Sequence, residues 1–100
     1  MSAEQKIKDL GLTLPALPKP VGTYVGGVRT GNLLYMSGLG PRRADGTYVV
    51  GKLGQTMTVE QGYEAARLVG LNMLSAIRGQ LGSLDKVKRV VKVLGMVNAD

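Results

Sequence analysis

Apolar side chains recur at three- and four-residue steps over one long stretch of this chain: Tyr63, Ala66, Gly70, Met73, Leu74, Ile77 and Leu81. That period draws a single stripe down a helix. The spacing predicts a helix opening at Thr58 and running to about Leu81, with Gly82 ending it in the left-handed conformation that glycine favours. Thr58 with Gln61 is a capping-box pair, and Glu60 and Glu64 lie near the positive end of the helix dipole. Glu64 and Arg67 are spaced to pair on the wet face. Gly70 costs ~1 kcal/mol against alanine in mid-helix, which close packing on a sheet would explain.

Elsewhere the period falls to two. In residues 87–97, Val91, Val93 and Val97 share one face, while Val90, Leu94 and Met96 share the other with Lys92 among them. Apolar residues on both faces predict a central strand buried on two sides. Two short strands, residues 27–29 and 33–37, flank Thr30-Gly31-Asn32, a loop tolerant of positive φ. Leu34 and Met36 point to one face of that hairpin, and Leu33, Tyr35 and Ser37 to the other. Asp45-Gly46 marks a turn, and Tyr48-Val49-Val50 predicts a third short strand. Near the start, Ser2 and Gln5 form a capping-box pattern for a helix over residues 2–11, with Ile7 and Leu10 as its apolar edge and Gly11 as its exit. Pro15, Pro18 and Pro20 then impose an extended arm, with Leu14 and Leu17 free to dock. The arm reads either as a strap over its own domain or as a reach to a neighbouring subunit.

The chain of 100 residues is expected to form one small domain, with residues 1–20 as helix and arm and 21–100 as the domain proper. It contains neither cysteine nor histidine. That excludes a disulfide framework, a thiol nucleophile, a Cys/His zinc site and a Ser-His-Asp triad from its own residues. Acid–base chemistry falls to seven carboxylates, to Lys or Tyr, or to held water. The net charge of +6 admits nucleic acid or a small anion as partner. Lys86, Lys88, Arg89 and Lys92 read as a phosphate patch or as lysines that discourage edge pairing. No apolar run approaches the ~20 residues of a membrane span, and the first ten residues are too polar for a signal peptide. A soluble cytoplasmic protein is the expectation.

No phosphate loop or dinucleotide fingerprint is present. Glu60 and Glu64 read as helix N-terminal charges, Tyr63 belongs to the apolar stripe, and Tyr24 and Tyr35 lack an RNA-binding motif around them. The candidate chemistry lies in residues 21–41, where Gly22, Gly26, Gly27, Gly31, Gly38 and Gly40 leave the backbone unusually bare. Tyr24, Ser37 and the Gly38 amide are its polar handles. A serine and a backbone N–H beside a basic arm suit a carboxylate or an oxyanion; Ser37 as a plain strand-end residue is the other reading.

The segments Val21-Gly22-Thr23-Tyr24-Val25, Gly31-Asn32-Leu33-Leu34-Tyr35-Met36-Ser37-Gly38 with Gly40-Pro41, and Gly82-Ser83-Leu84-Asp85-Lys86-Val87 leading to Gly95-Met96-Val97-Asn98 resemble the Rid family of reactive intermediate deaminases, also called the YjgF or L-PSP endoribonuclease family. The resemblance covers almost everything beyond residue 20. It implies a chorismate-mutase-like α+β fold, with a sheet carrying helices on one face, and a barrel-like homotrimer with ligand clefts between subunits. It implies hydrolysis of imines or enamines such as 2-aminoacrylate to a 2-keto acid and ammonia, without metal or organic cofactor. By position, Tyr24 lines the cleft, Ser37 contacts substrate or water as the candidate catalytic residue, and Gly38 helps hold the carboxylate. The family's carboxylate-binding arginine and water-activating glutamate fall beyond the matched residues, so the chain reads as C-terminally truncated relative to the family. Two alternatives accompany the deaminase reading: a non-catalytic trimer binding small carboxylates or other metabolites, and an RNA-binding protein or endoribonuclease.

Overall fold

The computed structural model describes residues 2–16 and 25–100; Leu17 and Tyr24, singled out above, lie outside them. Four elements follow in order: helix α1 (Ala3–Asp9), strands β1 (Gly27–Thr30) and β2 (Leu33–Met36), and helix α2 (Val59–Leu81), with a 3-10 turn at Leu84–Lys86. The architecture is α+β, an antiparallel hairpin set against one long helix.

Helix α2 begins and ends where its local chemistry dictates. The Thr58 side chain accepts from the Gln61 backbone N–H, and the Gln61 side chain accepts in return from the Thr58 N–H at 2.8 Å. Gly82 closes the helix at φ +85°, its N–H donating to the Arg78 carbonyl. The inward face departs from the expected stripe. Tyr63, Ala66 and Gly70 are exposed, Tyr63 at 69%, while Ala65, Leu68, Val69 and Asn72 are partly covered and Ser75 and Ala76 are buried. Gly70 therefore admits no close neighbour, and open space surrounds it. Close approach occurs at Gly62, where a Cβ would sit 2.5 Å from Leu53 Cδ2, and at Gly27 in β1, where it would meet Met36 Sδ at 2.9 Å and Gln80 Cγ at 3.2 Å. Glu64 and Arg67 form no ion pair.

β1 and β2 pair in the register Gly27 to Met36 through Thr30 to Leu33. Leu34 and Met36 are half-buried and Leu33 and Tyr35 exposed, the alternation the sequence predicts. The expected third strand does not form. Residues 41–49 fold on themselves, with Arg42 bridged to Tyr48, Val49 N–H donating to the Pro41 carbonyl, and Asp45 Oδ1 accepting from both the N–H and the hydroxyl of Thr47. This Asx-type turn satisfies its polar groups locally, so Tyr48–Val50 has no strand beside it. Those two bonds from Thr47 also hold the Asp45 carboxyl below its usual range.

Residues 87–97 are the largest departure. They run without helix, turn or bend and pair with no strand among the described residues. Both ends are pinned. Val87 N–H donates to the Leu84 carbonyl; beyond the segment, Leu53 and Asp100 exchange backbone bonds with Asn98 and Leu53, and Asn98 Nδ2 donates to the Gly51 carbonyl. A strand buried on two faces needs a neighbour on each edge, and the described residues supply neither.

The N-terminal residues strap back over their own chain. Ser2 caps α1 by accepting from Gln5 N–H, but the Gln5 side chain turns forward to Asp9 instead of completing the box. At the exit, Gly11 N–H donates to the Lys8 carbonyl and Leu12 N–H to that of Ile7, a Schellman ending. Glu4 is the anchor: its carboxylate accepts from Arg78 Nη2 at 2.6 Å, Arg78 Nε at 3.2 Å and Leu84 N–H at 2.7 Å, and its own N–H donates to Asp85 Oδ1 at 2.8 Å. Ser75 Oγ then donates to the Pro15 carbonyl.

The Arg78 bonds first, and the Leu84 N–H second, hold the Glu4 carboxyl below its ordinary range. A lowered folded value means that this contribution is complete above the ordinary glutamate range and is lost as the pH falls through the folded value. Glu4→Gln is expected to raise amide exchange in α1 and to flatten the acid limb of the stability curve, with both changes absent if α1 is not anchored here. Two glycines in the same helical region should respond with opposite signs. Gly82→Ala, at positive φ, is expected to destabilise by about 1–2 kcal/mol, and Gly70→Ala, in open space, to stabilise by about 0.5–1 kcal/mol, read from denaturant midpoints.

Candidate functional site

Ser37 directly follows β2, and the hairpin fixes it at two points. Its N–H donates to the Gly26 carbonyl at 3.0 Å, and its hydroxyl donates to the Val25 carbonyl at 2.5 Å. The side chain is half-buried, and Gly38 after it is exposed with nothing within 4 Å of where a Cβ would stand. The bare backbone at Gly26–Gly27 allows this closure, because Gln80 of α2 packs over both positions. The result is a rigid strand end carrying a hydroxyl whose proton is already committed. Its oxygen lone pairs remain, so Oγ can accept a hydrogen bond from a donor.

Among the described residues, no carboxylate or guanidinium hydrogen-bonds to Ser37. Three arginines serve their own surroundings: Arg29 Nε donates to the Gly31 carbonyl, Arg43 to the Thr47 hydroxyl and the Tyr48 carbonyl, and Arg78 to Glu4. Tyr24 lies outside the described residues, so the geometry brings together Ser37 and Gly38 of the three expected site residues. Tyr35 projects from the exposed face of β2. Among the described residues no three His, Cys, Asp or Glu side chains converge as metal ligands would, and no helix is long and apolar enough to cross a membrane.

A separate open groove of about 490 Å³ lies between α2 and the loops before it, floored by Val49, Met57, Ala65 and Leu68 and edged by Glu60 and Glu64. It does not include the Ser37 end of the hairpin. The sequence pattern missed it because its apolar floor belongs to the side of α2 that the three- and four-residue stripe did not mark.

No family model matches the chain. Protein TCP17 of Trypanosoma cruzi is 41% identical over 93 residues, which cover 93% of this chain and 58% of that protein. A crystal structure described as "a putative endoribonuclease" from Shewanella oneidensis superposes with a TM-score of 0.81 at 31% identity, over 90% of this chain and 60% of the other. Atu1372 of Agrobacterium tumefaciens, a protein of unknown function, gives a TM-score of 0.71 at 37% identity, over 87% of this chain and 52% of its own. The chain thus spans a little over half the length of the proteins it matches. Over that span the hairpin, the long helix and their order are those of the YjgF/Rid (L-PSP endoribonuclease) family fold.

Proposed function

We propose that this chain takes part in hydrolysing imines or enamines derived from amino acids, such as 2-aminoacrylate, and that the Ser37–Gly38 end of its hairpin is one wall of the ligand cleft. The observation that carries the reading is the locked geometry of Ser37 in a chain of this fold: the hydroxyl is held at a strand end beside bare, exposed backbone at Gly38. The Gly38 amide would hold the substrate carboxylate. Ser37 Oγ, with its own proton on the Val25 carbonyl, would accept a hydrogen bond from the attacking water or from the iminium N–H. The enamine first takes a proton at carbon to become the imine. Water then adds to the imine carbon, the C=N π pair passes to nitrogen with a proton, and collapse of the carbinolamine releases ammonia and a 2-keto acid. The opposite wall would come from a neighbouring subunit of a homotrimer, with Tyr24 lining the cleft.

A second reading, binding of small carboxylates without turnover, is favoured by the lack of any carboxylate base on Ser37 among the described residues. An RNA-directed role draws on the net charge of +6 and the neighbour's name, and would require affinity that falls steeply with salt.

Generating 2-aminoacrylate in situ should give faster release of ammonia and 2-keto acid when the protein is present. No acceleration, together with a thermal shift by 2-keto acids, would replace turnover with binding; neither effect would overturn the cleft. Ser37→Ala is expected to lower stability by about 0.5–1.5 kcal/mol through the lost Val25 bond and to reduce turnover further than that instability alone accounts for, measured at a temperature where both proteins are fully folded.

A further inference from the structure

The backbone that carries Gly38 is gripped on both sides, and both grips trace to helix α2. On the near side, Ser37 is tied to the Val25 and Gly26 carbonyls. Gln80 packs over the same strand start, where a Cβ at Gly26 would lie 3.5 Å from its Nε2 and one at Gly27 3.2 Å from its Cγ. On the far side, Asn72 Nδ2 donates to the Gly40 carbonyl at 3.3 Å and to the Arg42 carbonyl at 3.1 Å. A carboxamide nitrogen carries two hydrogens, and both acceptors here are carbonyl oxygens, so only its NH2 end fits between them. The turn it holds is already stiff. Pro41 fixes its own φ, the Arg42 N–H closes on the Gly40 carbonyl at 2.9 Å, and the Val49 N–H donates to the Pro41 carbonyl at 3.0 Å.

Between the grips lie Gly38 and Leu39 alone. Three Cα–Cα links of about 3.8 Å join Ser37 to Gly40, and with both ends referred to one helix few backbone rotations are left between them. Gly38 is the softest of those joints, because it has no Cβ to restrict it. With the far end released, the Gly38 N–H is free to swing while Ser37 stays where Val25 and Gly26 hold it. Asparagine is also a poor helix former, and Asn72 spends its donors on loop backbone from a half-buried position in mid-helix.

We propose that Asn72 is a positioning residue for the Gly38 amide. It acts through the backbone: by fixing the turn at Gly40–Arg42 it sets the direction in which the Gly38 N–H points. The assignment rests on the proposed cleft, in which that N–H holds the substrate carboxylate. Because Ser37 is fixed independently of Asn72, the two duties of the wall separate. Asn72 governs the hold on the carboxylate, and Ser37 governs the water or the iminium nitrogen. A carboxylate is held alike in the ground state and the transition state, so loss of Asn72 weakens binding more than it slows the chemical step.

Asn72→Leu keeps the branching of the side chain and removes both donors. It is compared with Glu4→Gln, which loosens α1 and touches none of residues 37–42. In amide NMR spectra the Gly38 resonance of Asn72→Leu is expected to shift and its exchange to quicken, with the Ser37 resonance little changed; in Glu4→Gln neither should move. Pyruvate, titrated as a probe carboxylate, should bind Asn72→Leu about tenfold more weakly than the wild type. In the 2-aminoacrylate assay KM should rise by a similar factor, with kcat changed by less than about threefold. An unmoved Gly38 resonance, or a loss of kcat at constant KM, would overturn the assignment and leave Asn72 as a brace. If Asn72→Leu does not fold, Asn72→Gln, which carries the NH2 group one carbon further out, decides by the same measurements with the same expected directions. Wild-type protein that neither binds pyruvate nor speeds ammonia release would overturn the proposed cleft and this inference with it. Wild-type binding that Asn72→Leu retains in full would overturn this inference alone.

Discussion

A short polar row on one helix holds the rest of this chain in place. Asn72 Nδ2 donates to the Gly40 and Arg42 carbonyls, Ser75 Oγ to that of Pro15, and Arg78 to Glu4 of α1. Each step of three residues turns back about 60° around a helix of 3.6 residues per turn, so the row meets three segments from three successive directions. Two of the three attach through backbone carbonyls, which places main chain against α2. These bonds matter more than usual because little else is buried: Ala76 at 8%, Leu84 at 3% and Ser75 at 9% are the buried residues among those described. A chain with so small a core relies on directional contacts where a larger domain would rely on apolar area.

That balance explains which features were legible in the sequence. Most signals written within a few residues are realised: the Thr58–Gln61 box, the Gly82 stop, the hairpin turn, which tightens to Gly31-Asn32 with Thr30 drawn into β1, and the Asp45-Gly46 turn; the Ser2–Gln5 box is half made, because the Gln5 side chain goes to Asp9. Signals that depend on a second layer are not. Tyr63 and Ala66 carry the right period but nothing described covers them, and the two-faced apolar pattern of residues 87–97 specifies a central strand for which the described residues supply no flanking strands. Gly70 misled for a related reason, since a glycine can mark close packing only where a neighbour exists. The polar row was invisible because Asn72, Ser75 and Arg78 look like an ordinary wet face until their acceptors, up to 74 residues away, are known.

The same contrast applies at the candidate site. Sequence singled out Ser37 for its chemistry and for its place beside glycine, and the strand end on which it stands is a property of the hairpin. The direction of its hydroxyl proton could not be read in advance. That depends on the Val25 carbonyl, twelve residues earlier, being turned toward Ser37 across the hairpin. A serine with a basic partner is a nucleophile in waiting, whereas a serine donating to a carbonyl is a fixed acceptor.

In the proposed cleft this distinction would constrain what occupies the wall. A carboxylate brings only acceptors, so it would gain nothing from Oγ and would be directed to the backbone N–H side at Gly38. A water molecule or an iminium nitrogen brings a donor and would be directed to Oγ. The two ends of a 2-imino acid have those complementary needs, one acceptor-only and one donor-bearing, and its carboxylate and imine carbons are directly bonded. In that reading, adjacent residues of one strand end would address both, one through the Ser37 hydroxyl and the other through the Gly38 backbone N–H. The orientation follows from a single intramolecular hydrogen bond: if the Ser37 proton were released from Val25, Oγ could donate to the carboxylate and the wall would lose its preference for which end of the ligand faces which residue.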